Sequence, residues 1–120
     1  MTATTVIELP QFDTGLYEGC DFLMSGGGAL LTLKLAEMEN FSIRFDRVRW
    51  HQFTALPNCT TEMIQDAYFR LVEYKDSLSV AAFIRGDKLG RTAYSKLSHY
   101  RIFLDETGCH EVYAESVTAL

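Results

Sequence analysis

The stretch Ser98-His-Tyr-Arg-Ile-Phe-Leu-Asp-Glu-Thr-Gly-Cys-His-Glu-Val-Tyr-Ala-Glu-Ser116 carries the clearest local pattern in the chain. On either side of Asp105–Gly108 the even-numbered residues are mainly apolar, as half-buried strands require. Asp at the first position of this segment and Gly at the fourth predict a type I turn closed by a left-handed glycine. We therefore predict a hairpin with one apolar face, built from three pairs: Leu104 with His110, Ile102 with Val112 and Tyr100 with Ala114.

A second antiparallel hairpin is predicted upstream, within residues 29–53. Odd-numbered residues are apolar in two runs, one on either side of the polar turn 37–40. The apolar positions then switch to even numbers, because Val48 and Trp50 continue the pattern. One extra residue near Asp46-Arg47, a β-bulge, explains this switch, and a plain break in the strand explains it equally well.

The remaining segments contain short strands and at least one short helix. Pro57-Asn58 is typical of a helix start, with Asn58 as the N-cap of a helix over 59–66. Residues 78–84 form either a buried strand or a short helix. The other predicted segments are strands at 6–9, 21–24 and 67–74, a hairpin or loop connection at Ser25-Gly-Gly-Gly-Ala29, and a loop at 85–92.

These elements predict a single globular domain over residues 1–120. A chain of 120 residues has the size of one domain, and it buries enough surface to fold without a metal or a disulfide. About seven or eight short strands with one or two short helices indicate a mainly β fold, with α+β as the other possibility. The expected architecture is an antiparallel sandwich or a partly closed barrel.

The composition narrows the classes of partner and the compartment. The chain has 11 basic and 16 acidic residues and a formal net charge of −5. Nucleic acids and anionic membranes attract basic surfaces, so we expect neither as a partner. Cys20, Cys59 and Cys109 form no CxxC pair, and their odd number suits reduced thiols. Residues 1–10 lack the basic and apolar regions of a signal peptide, so we expect a cytoplasmic protein.

Metal and cofactor motifs are missing from the sequence. His51, His99 and His110 do not have the spacing of metal ligands, and the predicted hairpin places His99 and His110 on opposite faces. The glycine run at 25–29 lacks the Lys and the Ser or Thr of a phosphate-binding loop. We therefore expect no metal and no cofactor.

Nucleophiles and carboxylates give no catalytic motif either. Cys109 and His110 are neighbours on a strand and point to opposite faces, so they form no direct dyad. A distant histidine beside Cys20 or Cys59 remains open. We assign no catalytic residue and interpret the acidic residues as a solvated face: Asp13, Glu18 and Asp21 near the start, and Glu111 and Glu115 on the last strand.

The most distinctive cluster is a stripe of basic residues beside one aromatic residue: Arg44, Arg47, Arg49, Lys34 and Trp50. If a β-bulge follows Asp46, then Arg47, Arg49 and His51 share the polar face of their strand. A positive stripe beside an aromatic ring suits an acidic protein surface. The competing interpretation is ordinary cross-strand pairing with Asp and Glu.

Two functions from different classes fit these observations. The leading hypothesis is a non-enzymatic module that binds another protein, whose acidic surface would suit the arginines. In size and charge alone, the chain is similar to small acidic bacterial proteins that neutralise toxins. The alternative is a barrel or cleft that binds a small molecule, enzymes included, through Trp50, Tyr68, Tyr100 and His110. Association of two copies through a strand edge is a third possibility.

Overall fold

The computed structural model describes residues 2–86 and 97–120, which form two antiparallel sheets and two short α-helices. The strands are β1 (Thr2–Glu8), β2 (Tyr17–Ser25), β3 (Gly28–Leu35), β4 (Phe41–Asp46), β5 (Trp50–Ala55), β6 (Arg70–Lys75), β7 (Ser98–Leu104), β8 (Gly108–Ala114) and β9 (Ser116–Ala119). The helices are α1 (Thr61–Ala67) and α2 (Leu78–Arg85), with single 3-10 turns at Thr14–Leu16 and Leu56–Asn58. The mainly β class is confirmed.

The two sheets pack face to face as a sandwich, which is one of the two predicted architectures. The five-stranded sheet has the order β1-β6-β7-β8-β5, and the four-stranded sheet has the order β2-β3-β4-β9. Neighbouring strands in both sheets run antiparallel. Strands that are close in sequence, such as β4 and β5, belong to different sheets, so the chain crosses between the layers several times.

The core lies between the two sheets and follows the alternation of the sequence. Apolar residues at every second position of a strand share one face, and these faces meet at the centre of the molecule. Completely burying one such aliphatic or aromatic side chain stabilises the fold by roughly 1.5–3 kcal/mol. The members with no exposed surface are Leu31, Leu33, Ile43 and Phe45 of the four-stranded sheet, and Leu71, Ile102, Leu104 and Ala114 of the five-stranded sheet.

The C-terminal hairpin forms as β7 and β8, but its predicted register is wrong by two residues. Leu104 pairs with Gly108 rather than with His110, and the other two predicted pairs shift in the same way. Both Glu106, with a φ of 68°, and Gly108, with a φ of 146°, have the positive φ that favours glycine. An added Cβ at Gly108 would collide with the carbonyl oxygen of Thr54 on β5. The glycine therefore serves a close approach between strands, and the even-numbered residues still face the core.

The second hairpin is confirmed for β3 and β4, where Leu31 pairs with Ile43. The chain leaves this sheet after Asp46, because Arg47 adopts a left-handed backbone with a φ of 54°. β5 then joins the edge of the other sheet beside β8. The β-bulge prediction is wrong, and the plain strand break explains the switch of apolar positions.

Helix α1 lies on the outer face of the five-stranded sheet, where it packs against β6 and β7. Its N-cap is Thr60, whose hydroxyl accepts a hydrogen bond of 3.2 Å from the Met63 amide. The predicted N-cap, Asn58, is wrong because it still belongs to the 3-10 turn that begins before Pro57. α1 extends to Ala67, and the strand predicted from that residue begins only at Arg70.

Residues 78–84, whose sequence suited either a strand or a helix, belong to helix α2. It begins after Ser77, whose hydroxyl accepts a hydrogen bond of 3.2 Å from the Val80 amide. The ring of Phe83 meets the ring of Tyr113 on β8 edge to face, with centroids 5.5 Å apart. This contact places α2 over the outer face of the same sheet that α1 covers.

Two predicted connections have different outcomes. The glycine run joins β2 to β3 as a hairpin connection, as predicted, and Gly26 and Gly27 have φ values of 58° and 83°. A type I′ turn requires such backbone at both central positions. Of the predicted loop 85–92, Arg85 ends α2 and Gly86 caps it, and residues 87–92 lie outside the described part of the chain.

Neither α-helix in residues 2–86 and 97–120 is long and apolar enough to cross a membrane.

Candidate functional site

Three of the predicted binding residues come together at one end of the four-stranded sheet. Arg44, Arg47 and Arg49 line a wide depression of about 770 Å³ beside the turn that joins β2 to β3. β4 carries Arg44 on its outer face, and the link from β4 to β5 carries the other two. The side chain of Arg47 is 70% exposed. The sandwich thus gathers the positive charge that the sequence spreads over six residues.

Two carboxylates offset part of this positive charge. The Arg44 guanidinium lies 3.5 Å from the Asp46 carboxylate, and those of Arg47 and Arg49 lie 3.7 and 3.5 Å from Glu115. Solvent-exposed ion pairs of this kind contribute about 1 kcal/mol or less to stability. Since three guanidinium groups face two carboxylates, this end of the sheet stays locally positive on a chain of net charge −5.

The other two residues of the predicted stripe lie elsewhere. Lys34 shares the outer face of the four-stranded sheet with Arg44, but it pairs with Asp21 at 3.3 Å. Lys34 lies four positions along β3 from Leu30, the partner of Arg44, which is a distance of about 13 Å. Trp50 lies on the outer face of the five-stranded sheet, stacked on Tyr113 with ring centroids 4.3 Å apart. The structure does not bring Trp50 to the arginines.

An exposed apolar patch borders Arg44, and the sequence reasoning missed it. Leu23, Leu30 and Leu120 line a shallow cavity of about 430 Å³ together with Arg44. Leu23 is 63% exposed and Leu120 is 61% exposed. The sequence does contain a signal for this patch. Leu30 is an even-numbered leucine in a strand whose odd-numbered residues face the core, so it had to lie on the outer face.

The four residues proposed for a small-molecule pocket do not converge. Tyr100 and His110 lie on the core face of the five-stranded sheet, where the Tyr100 ring packs 6.0 Å from the ring of Phe45. Trp50 is on the opposite face of that sheet. Tyr68 follows α1, and its hydroxyl donates a 3.4 Å hydrogen bond to Asp105.

A buried polar network lies under the two helices, on the outer face of the five-stranded sheet. His99 of β7 is 2% exposed, and its Nε2 lies 2.9 Å from the Glu111 carboxylate on β8. Because a carboxylate only accepts hydrogen bonds, Nε2 carries a proton. The Ser77 hydroxyl lies 2.8 Å from Nδ1 of the same ring. Three side chains from separate segments are thus joined in a line.

Arg101 anchors this network at the carboxylate. Its Nε and Nη2 donate hydrogen bonds of 2.8 and 2.6 Å to Glu111, and its Nη1 donates one of 2.7 Å to the Tyr74 hydroxyl. Burial alone raises the pKa of Glu111, but the hydrogen bond from His99 and the charge of Arg101 outweigh burial and lower it. Glu111 is therefore ionised and buried, and its assignment to a solvated acidic face is wrong. In the observed register Arg101 pairs with Glu111. The opposite charges of these two residues were the signal in the sequence for this buried network.

A second cluster lies in the core near the open edge of the sandwich. His110 Nε2 lies 3.6 Å from the Cys20 thiol, and its Nδ1 lies 3.3 Å from His51 Nε2. The His51 ring stacks on Phe22 with centroids 3.9 Å apart. His51 thus faces the core with Val112, so its assignment to the polar face beside the arginines is wrong. The bulge prediction placed the even-numbered residues of β5 towards the core. Because the strand breaks instead, the odd-numbered residues of β5 face the core.

The pKa values of this cluster follow from its burial. Burial, and secondarily the nearby His51, lowers the pKa of His110 from 6.5 to about 4. Burial also lowers the pKa of His51. Both rings are therefore neutral at neutral pH. Cys109 lies on the opposite face of β8 from His110, as predicted, and burial raises the pKa of its thiol to about 12.

Comparison with known proteins identifies no relative of this chain, so its function is interpreted from the geometry described above. Within residues 2–86 and 97–120, no group of three or more His, Cys, Asp or Glu side chains is arranged to hold a metal ion. No protein-family model, no curated protein and no solved structure matches the chain.

Proposed function

We propose that this protein binds another protein through the leucine–arginine surface, which we define as Leu23, Leu30, Leu120, Arg44, Arg47 and Arg49. The observation that carries the proposal is the position of two highly exposed leucines directly beside Arg44, on the outer face of a sheet. Protein interfaces combine an apolar centre with arginine, and lysine and glutamate are depleted there.

The charges of the surface favour a partner with an acidic face. Arg47 and Arg49 share one carboxylate, that of Glu115, and both flank the depression beside the glycine turn. An incoming carboxylate can bind such arginines in a bidentate manner, which fixes orientation as well as affinity. The rest of the chain is acidic, so electrostatic steering directs such a partner to this end of the molecule.

A small acidic protein that neutralises a toxin by covering it is one form of such a module. The similarity to proteins of that type rests on size and charge. We further propose that the protein acts in the cytoplasm. The support for this is the odd number of cysteines, which suits a reducing compartment.

The test is a native mass spectrum of the tagged protein purified from the cells that encode it. We expect a second protein at a fixed ratio with the wild type. The double variant Arg44→Ala/Arg47→Ala should bind the purified partner at least about 30-fold more weakly, since truncating an arginine at an interface hot spot costs about 2 kcal/mol or more. Both side chains are at least half exposed, so the Tm should change little.

The matched control is Arg70→Ala/Lys75→Ala, which removes the same charge from β6 of the other sheet. This variant should keep the affinity of the wild type. Equal affinity of the wild type and the Arg44→Ala/Arg47→Ala variant for the purified partner would refute the proposed surface. A third variant, Leu23→Ser, tests the apolar part, and it should weaken binding without changing the net charge.

A further inference from the structure

Ser77, His99 and Glu111 form a hydrogen-bonded line that resembles the arrangement of a nucleophile, a base and an orienting carboxylate. The Ser77 hydroxyl lies 2.8 Å from His99 Nδ1, and His99 Nε2 lies 2.9 Å from Glu111. In the neutral form of the ring, the proton on Nε2 bonds the carboxylate, and Nδ1 can accept the proton of the Ser77 hydroxyl. This tautomer is the one that a general base for Ser77 requires.

A cavity of about 380 Å³ opens directly onto this line of residues. Ser77 and His99 are both part of its wall. Val80, Ile84 and Leu97 form an apolar side of the same cavity. The volume falls in the usual range of small-molecule sites, where an apolar lining carries a few polar groups. The cavity therefore offers an apolar group a place to bind beside the Ser77 hydroxyl.

The start of α2 adds hydrogen-bond donors at the same place. Ser77 is the N-cap of this eight-residue helix, and the Val80 amide donates to its hydroxyl oxygen at 3.2 Å. This hydrogen bond stabilises negative charge that develops on the oxygen. The amides of Leu78 and Ser79 have no partner within the helix, because the first turn of any helix leaves such groups unpaired. Amides in the first turn of a helix can donate hydrogen bonds to an oxyanion that forms beside its N-cap residue.

The buried charges are an expensive way to stabilise a fold. A buried ion pair can often be replaced by apolar side chains with no loss of stability. Stability alone therefore does not explain why Arg101 and Glu111 are buried together. Their effect on His99 is clear, however. The two hydrogen bonds from Arg101 hold the Glu111 carboxylate in place, and Glu111 holds the imidazole in the required tautomer and orientation. Glu111 and Arg101 are positioning residues in this arrangement.

We propose that Ser77 and His99 hydrolyse a small carboxylic ester whose apolar acyl group binds in this cavity. Ser77 Oγ attacks the carbonyl carbon, and its proton passes to His99 Nδ1. The bond from that carbon to the alcohol oxygen breaks, and His99 returns the proton to the departing alcohol. Water then attacks the acyl-Ser77 ester with His99 again taking a proton. The carboxylic acid leaves, and Ser77 Oγ recovers the proton from His99.

This activity lies on the opposite sheet from the leucine–arginine surface and goes beyond the proposed protein binding. The first experiment uses the wild-type protein and diisopropyl fluorophosphate, followed by peptide mass spectrometry. We expect one phosphoryl adduct, on Ser77. Absence of an adduct, or an adduct only on other residues, would overturn the proposal.

The second experiment measures hydrolysis of p-nitrophenyl acetate and p-nitrophenyl butyrate. Ser77→Ala should lower the rate at least about 100-fold. The matched control is Thr60→Ala, since Thr60 caps α1 with the same 3.2 Å hydrogen bond to its helix and lies outside the network. Thr60→Ala should keep the wild-type rate. An equal rate for the Ser77→Ala variant and the wild type, in folded protein, would also overturn the proposal.

Discussion

Mild acid should destabilise this protein through His110. The ring is buried in the core, with its two nitrogens against Cys20 and His51. Burial and the neighbouring His51 lower its pKa from 6.5 to about 4. The unfolded chain therefore binds a proton between these two pH values that the folded chain does not bind. By linkage, the stability from this residue is complete above about pH 6.5 and is lost as the pH falls towards 4.

The size of the effect follows from the pKa shift. One pKa unit corresponds to about 1.36 kcal/mol, so the complete shift of His110 is worth about 3 kcal/mol. At about pH 5 the unfolded imidazole is almost fully protonated and the folded one is almost fully neutral, so about 2 kcal/mol is already lost. Burial shifts the pKa of His51 in the same direction, and this adds to the loss. The pKa of Glu111 is lowered, so its loss of charge comes at lower pH.

Urea unfolding measures this loss directly, with the single tryptophan, Trp50, as the fluorescent probe. The free energy of unfolding of the wild type should fall by at least about 2 kcal/mol between about pH 7.5 and about pH 5. His110→Gln cannot titrate, and its free energy should fall by at least about 1 kcal/mol less over the same range. Equal losses in the two proteins would refute this reasoning. A native His110 signal that titrates near 6.5 in NMR would refute it without any variant.

Three further predictions concern single positions. Gly108→Ala should lower the free energy of unfolding by about 3 kcal/mol, because the new Cβ meets the β5 backbone at a strained φ, whereas Gly86→Ala should change it little in the same urea titration. Arg101→Met should cost about 3–5 kcal/mol at neutral pH, since the buried Glu111 carboxylate loses its arginine partner and keeps only the hydrogen bond from His99, and the additional variant Glu111→Gln should restore part of that loss. Cys109 should stay unmodified by iodoacetamide at about pH 8 in the native protein and react in urea, as peptide mass spectrometry would detect, because burial raises its thiol pKa to about 12.

The sequence predicted which residues face the core of most strands, and it did so for a local reason. Side chains alternate across a strand, so the odd-numbered leucines of β3 and the even-numbered residues of β7 had to share a face wherever the strands paired. Turn chemistry is local too, and the consecutive glycines after Ser25 form the tight hairpin connection that they predict. These features need no knowledge of distant residues.

The candidate sites depended on pairings that local patterns do not encode. A shift of two residues in the last hairpin keeps the same apolar face, so alternation could not decide whether Arg101 lies opposite Glu111. The shift was decided by Gly108, which lies against Thr54 of a strand more than fifty residues earlier. Helix α2 likewise places Ser77 at His99 only because it packs on the outer face of the same sheet.

The sequence by itself thus determined a single mainly β domain, its apolar faces, its tight turns and its negative charge. Only the tertiary structure decided that β5 leaves the sheet of β4, so that His51 turns inward and Trp50 turns away from the arginines. It also decided that Leu23, Leu120 and Arg44 line one cavity. The physical reason is that hydrophobic periodicity and secondary-structure propensity depend on only a few neighbouring residues. Sheet order and register arise instead from contacts between strands far apart in the chain.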